Sequence, residues 1–570
     1  MSVWFSGRRT MHWVCFAVLI SLVLIFTGCG GTSSSDNSGG GGSNPPPTTQ
    51  GDIKTVKHII YTLQENRSFD SYFGKLDSYR VANGLGQPGD VDGLPASPST
   101  SPCDAAHGCQ IGLDGNAMTV FHLKSACFDN LDPDWLSSHG DFNFENPGSD
   151  SPLLDGYLKN AAVTGVIDSN AGRTGTLPVV VFESTTFTLE LPNTTALATV
   201  IVNVPGTGTS GGTLIHTPGV TFTANGQQQI TVPANTQVTL SWSAPTFPTP
   251  LYIDSFVDIK GKRAMGYYDQ TDLPYYYFMA SNFATSDRWY SPMPGNTAAN
   301  RVFLMAATTH GHAHNPPQLP PSVKPIFAEL QAANISWKVY YQATNKDGSP
   351  QTTLSTFLVQ QGSQMVPFSK VFAANIVPIS QYFTDVANGT LPSVAFIEQK
   401  SGIDEHPGAE INVQVGAQNM AKIINALMNS PSWKDSVFIY AVDEFGGAFD
   451  HVAPQLPVPS PDGLMPTDLQ PGDSIIQPPG DFTRTGFRVP MIVISPFTKK
   501  NYVSHTPADN TAILAFIEKR FGLQPLTARD AAQMDMTEFF DFSSPSWSTP
   551  PTMPAQPTNG QCLWSQETGP

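Results

Sequence analysis

The sequence predicts an α/β protein, a three-layer domain whose sheet lies between helices and whose course is interrupted by a smaller β-rich segment. Three observations carry that expectation. Short apolar runs rich in β-branched residues recur at 53–63, 336–341, 393–398, 436–442 and 489–495, as buried strands do. Helical patterns lie between and after them. Residues 412–428 (NVQVGAQNMAKIINALM) and 511–521 (TAILAFIEKRF) place apolar side chains three and four apart, and the second stops at Gly522, a natural C-cap. Finally, residues 191–253 hold 63 consecutive positions without Asp, Glu, Lys or Arg. That stretch is rich in Thr and Val, and alternation at 199–204, 219–223, 229–232 and 237–242 reads as short antiparallel strands.

The remaining elements follow in chain order. Arg8 and Arg9 precede an apolar run of 14 residues at 13–26, too short to span a bilayer and suited to a signal peptide. Thr27-Gly28-Cys29 comes next, then a Gly-, Ser- and Pro-rich tether at 30–50. The expectation is a lipoprotein-type signal at 1–29 with Cys29 lipidated, hence a cell-envelope, periplasmic or secreted protein held to a membrane. The main domain then occupies 51–164 and 259–542, an inserted β-sandwich 165–258, and a Pro-, Ser- and Thr-rich tail 543–570. Without Cys15 and Cys29 four cysteines remain, Cys103, Cys109, Cys127 and Cys562, enough for two disulfides in any of three pairings.

Composition narrows the function. The chain has 570 residues, more than one hydrophobic core usually organises, and 40% of them are hydrophobic, which excludes a disordered chain. Its 46 acidic against 29 basic residues, a formal charge of −17, argue against a nucleic-acid partner. With 48 Gly and 50 Pro it is loop-rich. No Walker phosphate loop and no Gly-x-Ser-x-Gly elbow occurs.

The chemistry gathers where apolar strands end, the position from which open α/β sheets present functional groups. The run 53–63 leads into Glu65 and Asn66, hard oxygen donors suited to a divalent cation, although Asn66 or Ser68 could equally cap a helix. The run 436–442 delivers Asp443 and Glu444, and Gly446 and Gly447 then allow a sharp turn. Asp450 and His451 are expected to support that turn from behind. A third run, 393–398, leads to Asp404-Glu405-His406-Pro407. Adjacent carboxylates repel unless a cation compensates them, so the pattern points to metal-assisted hydrolysis. His310, His312 and His314 alternate and would share a face on a strand, but on a loop would stand at a rim; His505 either caps the next helix or approaches the site.

Five segments together resemble one family: QENRSFDSYFG (64–74), DEHP (404–407), DEFGGAFDHV (443–452), GFRVPMIVISP (486–496) and HTPADNTAILAFIEKRFGLQPLTARD (505–530). They are similar to the bacterial phosphoesterases, which include the non-zinc phospholipases C and a related acid phosphatase, on an alkaline-phosphatase-like fold. The resemblance implies metal ligation by Glu65, Asn66, Asp443, Glu444 and Thr297. Thr297, in GNTAANR (295–301), is the implied nucleophile, passing through a phosphothreonine. His406 and His139, the latter in DWLSSH (134–139), are the implied proton donors. LDGY (154–157) matches a further family segment with two substitutions, and it places the β insertion near the site's rim. One divalent ion is implied, Mg, Ca, Mn or Zn. The substrate is a phospholipid or other phosphate ester, and Trp289, Tyr290 and the tyrosines 275–277 are candidate walls for a choline head group. A monoester-cleaving acid phosphatase, and a non-catalytic surface lipoprotein on the same scaffold, are the alternatives.

Overall fold

The structure is a computed structural model. It describes residues 52–562 except 113–114, 128–129, 164–172, 317–318, 321, 346–347, 349, 352–372, 409–410 and the links between strands from 182 to 260. The expected signal peptide, the lipidated Cys29 and the tether lie outside the described residues.

Eight strands build the central sheet: β1 (His58–Gln64), β2 (Ala284–Ser286), β3 (Trp337–Tyr341), β4 (Ile376–Pro378), β5 (Val394–Glu398), β6 (Ser436–Val442), β7 (Met491–Ile494) and β8 (Tyr502–Ser504). Their spatial order is β4-β3-β5-β1-β6-β7-β2-β8. The pairs from β4 through β6 are parallel, whereas β7 runs antiparallel to both β6 and β2. Strands β5 and β6 are buried at every residue, which explains their unbroken apolar sequence.

Helices cover both faces. Alternate side chains of a strand point to opposite sides. On β3, Trp337 packs its ring 4.9 Å from Phe327, and Tyr340 packs 5.5 Å from Tyr382. Phe327 belongs to Ile326–Ala332 and Tyr382 to Ile379–Asn388, so these two helices flank opposite faces. The helices used below are α1 (Phe69–Phe73), α2 (Trp135–Phe142), α3 (Pro274–Asn282), α4 (Thr297–Ala306), α5 (Val413–Met428) and α6 (Ala512–Phe521). The last ends at Gly522 in the left-handed conformation, φ 70°, as its sequence predicts.

The β-rich segment forms antiparallel strands. Gln227–Val232, Thr185–Glu190 and Tyr252–Asp254 make one sheet; Arg173–Val181, Thr236–Ala244 and Ala198–Pro205 carry the other, with Leu214–His216 and Val220–Phe222 added to Ala198–Pro205. The packing of these sheets as a sandwich, and the segment's limits at 165 and 258, lie outside the described residues.

Two disulfides join Cys103 to Cys109 and Cys127 to Cys562, the latter across 435 positions of sequence. Near the second bond, Ala126 donates its N–H to the Gln561 carbonyl, and Trp433 Nε1 donates to the Trp547 carbonyl. The tail thus lies along the domain. Among the described residues no helix is long and apolar enough to cross a membrane.

Candidate active site

Parallel pairing brings strand ends together. Gln64 pairs with Val442 at the last position of β1 and β6, so Glu65-Asn66 and Asp443-Glu444 leave the sheet side by side. The Asp443 amide donates to the Gln64 carbonyl, and the Asn66 amide donates to Asp443 Oδ1 at 3.1 Å. Asn66 holds φ 56°, a left-handed conformation that Asn tolerates better than most residues. Gly446 and Gly447, at φ 68° and 71°, turn the chain away. A Cβ on Gly446 would stand 2.3 Å from the Asn66 carbonyl oxygen, so the close approach of the two loops requires glycine.

Thr297 opens helix α4 after Asn296. Its Oγ1 donates to Asn66 Oδ1 at 3.0 Å. On the other side of that amide, Asn66 Nδ2 lies 3.2 Å from His406 Nε2, while His406 Nδ1 lies 2.7 Å from the Pro407 carbonyl. Because Asn66 Oδ1 accepts from Thr297, its Nδ2 faces the ring and donates to Nε2, while Nδ1–H donates to the Pro407 carbonyl. His406 Nε2 is also 3.9 Å from Glu65 Oε2. Asn66 therefore links the hydroxyl to the imidazole.

Arg301, one turn along α4 from Thr297, lies fully inside the cluster. It pairs with Glu65 at 3.0 Å, Glu398 at 2.7 Å and Asp443 at 3.2 Å, and donates to the Leu63 carbonyl at 3.1 Å. Its guanidinium is held charged by these carboxylates against the burial that disfavours the charge. The sequence reading missed Arg301 and Glu398. The available signal was the spacing of four between Thr297 and Arg301, which puts both on one helix face.

The residues fit a divalent cation. Burial, with Glu65 beside it, pushes the Asp443 carboxyl up; burial, with Asp443 beside it, does the same to Glu444. Glu444 Oε2 accepts from the Gly446 amide, but Oε1 is buried with no hydrogen-bond partner. An oxygen-only donor set with an orphaned carboxylate oxygen, in carboxylate excess over one guanidinium, is a place for a hard cation. Among the described residues, the close His/Asp/Glu groupings with oxygens and nitrogens within 4.8 Å lie elsewhere, at Asp70-Asp450-His451 and at His122-Asp269-Asp272. The first is already neutralised by Arg488, 3.1 Å from Asp70 and 2.9 Å from Asp450.

The other expected residues are dispersed. His139 is buried, its ring 4.6 Å from Trp135, and its Nδ1 donates to the Trp135 carbonyl at 2.7 Å. Burial lowers its pKa to about 4, so it is neutral near pH 7 and not the charged donor expected. His451 bonds Asp70 at 2.6 Å and Asp92 at 3.0 Å, and Ser68 Oγ donates to the Phe449 carbonyl. Asp450 and His451 thereby clasp the start of α1, four residues beyond Asn66. His312 pairs with Asp468 and His314 with Asp473, on a loop; His310 lines a separate cleft of about 480 Å³ at the far end of α4. His505 pairs with Asp287.

The aromatic walls are not there. Trp289, Tyr290 and Tyr275 to Tyr277 are buried. Tyr276 and Tyr72 instead donate their hydroxyls to Glu405, which also accepts from Gln64 Nε2 at 2.7 Å. Glu405, at φ 67°, is a wholly buried anchor beneath His406. Asp132, also unforeseen, lies next to Gly447, and both it and Asp134 stand near His314; burial raises Asp132 to about 7.

The chain belongs to the phosphoesterase family, whose model matches residues 236–524. The match takes in Thr297, His406, Asp443 and Glu444 and begins after Glu65 and Asn66. Phospholipase C B of Mycobacterium tuberculosis is 32% identical over 312 residues, covering 51% of this chain and 58% of that protein. Non-specific phospholipase C5 of Arabidopsis thaliana is 30% identical over 304 residues, covering 49% and 53%. Non-hemolytic phospholipase C of Pseudomonas aeruginosa is 29% identical over 330 residues, covering 53% and 47%. The chain thus spans about half the length of these relatives. A solved protein of the alkaline phosphatase superfamily from Vibrio parahaemolyticus overlaps 47% of this chain and 64% of its own at 15% identity, with a TM-score of 0.27.

Proposed function

We propose that the chain hydrolyses phosphate esters of the phospholipid type by a two-step transfer through Thr297. The observation that carries this reading is the hydroxyl of Thr297 at a helix N-terminus, 3.0 Å from Asn66 Oδ1, beside carboxylates and one buried guanidinium. Helix N-termini favour the phosphoryl anion, whose charge grows over its equatorial oxygens in transfer. In the first step Thr297 Oγ1 bonds to phosphorus and the ester oxygen leaves with the bond electrons. The Thr297 proton passes to His406 Nε2, the acceptor joined to that hydroxyl through Asn66, and His406 then hands it to the departing oxygen. In the second step water bonds to phosphorus, the P–Oγ1 bond breaks, Thr297 regains a proton through His406, and phosphate, or a phosphorylated head group, departs. Glu65, Asn66, Thr297, Asp443 and Glu444 would hold a divalent ion, Mg, Ca, Mn or Zn. Bound there, it supplies Lewis acidity that lowers the threonine pKa. Arg301 keeps the carboxylates oriented, and His139 serves as an apolar-packed wall.

The names of the relatives favour a diester phospholipid over a monoester. The two disulfides suit an oxidising compartment and so an exported protein, with Cys29 as the proposed anchor.

The test pairs a soluble chromogenic phosphate monoester with a phosphocholine ester. Turnover of the diester is expected, with Thr297→Ala losing at least about a thousandfold in kcat while its thermal unfolding is unchanged. An acid quench of the wild type turning over the phosphocholine ester should leave one phosphocholine group on the peptide containing Thr297. Inactivity of the wild type on both esters with each of the four metals would overturn the reading, as would full activity of Thr297→Ala.

A further inference from the structure

Among the described residues, three large hydrophobic side chains are more than half exposed: Leu153 at 56%, Met465 at 55% and Ile475 at 59%. Single exposed apolar residues are ordinary. These three, however, stand on two chain segments, around 143–156 and 453–485, that are joined to each other and, through residues 311–315, to the start of α4. The contrast within one dipeptide is instructive. Ile476 is buried in the same apolar cluster as Ala299, two residues past Thr297, whereas neighbouring Ile475 is exposed. Asp473 binds His314 at 2.7 Å, and Asn315 Oδ1 accepts from the Ala298 amide, so this segment is fastened to the start of α4. Met465 and Thr467 press on Gly311, and Thr467 donates its amide to the Gly311 carbonyl. Leu153 hangs from α2, its amide donating to the Phe142 carbonyl. The two segments meet where Gly148 touches the Gln477 backbone and where Arg484 donates to the Ser149 carbonyl at 2.8 Å.

Charge selects what such a rim can touch. No Lys or Arg occurs between Lys124 and Lys159, nor between Lys434 and Arg484, while both stretches carry several aspartates. An anionic membrane attracts proteins through basic side chains, and the one basic residue of these two segments, Arg484, is buried and paired with Asp150. A zwitterionic lipid layer exacts no such penalty, and apolar side chains enter its interface.

We propose that Leu153, Met465 and Ile475 form an apolar rim that seats the protein, site mouth down, on a zwitterionic lipid surface. This deepens the phospholipid reading above and rests on it for the identity of the substrate. The rim brings a lipid head group to Thr297 without extracting the lipid into water.

The test uses the full chain with Ile475→Cys carrying an environment-sensitive dye, against Phe383→Cys, an exposed apolar position on Ile379–Asn388 at the sheet's far edge. With phosphatidylcholine vesicles the dye at 475 should shift to the blue and be quenched by lipid-borne quenchers; the dye at 383 should do neither. Mixing in anionic lipid should shrink the shift. Equal responses at both positions, no response at 475, or a larger response on anionic vesicles would overturn the proposal. In parallel, the triple variant Leu153→Ser, Met465→Ser, Ile475→Ser should keep soluble-ester turnover and lose at least about tenfold on vesicular lipid. Equal losses on both substrates, or no loss, would also overturn it. The dye needs no turnover, so a wild type inactive on every ester defeats the phosphoesterase reading and leaves the rim to be judged by fluorescence.

Discussion

Arg301 draws its three carboxylate partners from three strand ends, Glu65 after β1, Glu398 in β5 and Asp443 after β6. Removing one partner of a buried ion pair strands the others without water or countercharge. Arg301→Met is therefore expected to destabilise the fold by about 3–5 kcal/mol, read as a lower urea midpoint, and Arg301→Lys should recover only part of it. An unchanged midpoint would mean that the carboxylates relax to solvent. Individual residues were unevenly legible in sequence. Glu65, Asn66, Asp443 and Glu444 stood out because each pair ends an apolar run. Glu405 shared that signal, yet its partners Tyr72, Tyr276 and Gln64 come from distant segments, and only folding reveals it as an anchor. His139 read as a donor because sequence carries no measure of how deeply a ring is buried.

At the scale of elements, the glycine turn after β6 is the narrowest point. Gly446→Ala adds a methyl 2.3 Å from the Asn66 carbonyl oxygen at a φ of 68°, so the 65–66 loop must move. The expected result is a loss of about 1–3 kcal/mol in stability and a fall in kcat, whereas Gly463→Ala, also at positive φ but in open space, should cost strain alone and leave kcat intact. Comparable kcat values for the two variants would refute the contact argument. The central strands were legible because burial on both faces writes a continuous apolar run; the structure moves most of their ends by a residue or two, but the first begins at His58 rather than 53, since Ile53–Thr55 forms a 3-10 turn capped by Asp52. The reversal of β7 was not legible, since an apolar run has no direction. The tyrosines of α3 were misread as a pocket wall for a related reason: an aromatic run looks the same whether it lines a cleft or fills a core.

For the molecule as a whole, buried titratable groups set a pH profile. Burial alone would lower His451, but Asp70 and Asp92 hold its pKa up to about 10. The stability it lends is complete below its unfolded value near 6.5 and fades as pH rises toward 10. Burial raises Glu405 to about 7, despite three hydrogen bonds, so folding loses ground between its unfolded value near 4.5 and pH 7. Both slopes have the same sign. Metal-stripped protein should therefore unfold at a higher temperature at pH 5.5 than at pH 9, by roughly 3 kcal/mol in stability, and Glu405→Gln should flatten the profile between pH 5 and 7. A melting temperature that climbs with pH in chelator would contradict this assignment.

The middle of the sheet also sets a timetable for biosynthesis. β1 is made early but is completed on either side by β5 and β6, and Thr62 meets Ile397 across 335 positions of chain. At about 5–20 residues per second, a ribosome needs roughly 20–70 s to deliver that neighbour. Throughout that interval a ribbon as apolar as HIIYTLQ has nothing to pair with. Any factor that shields nascent hydrophobic segments should therefore find a grip at this strand.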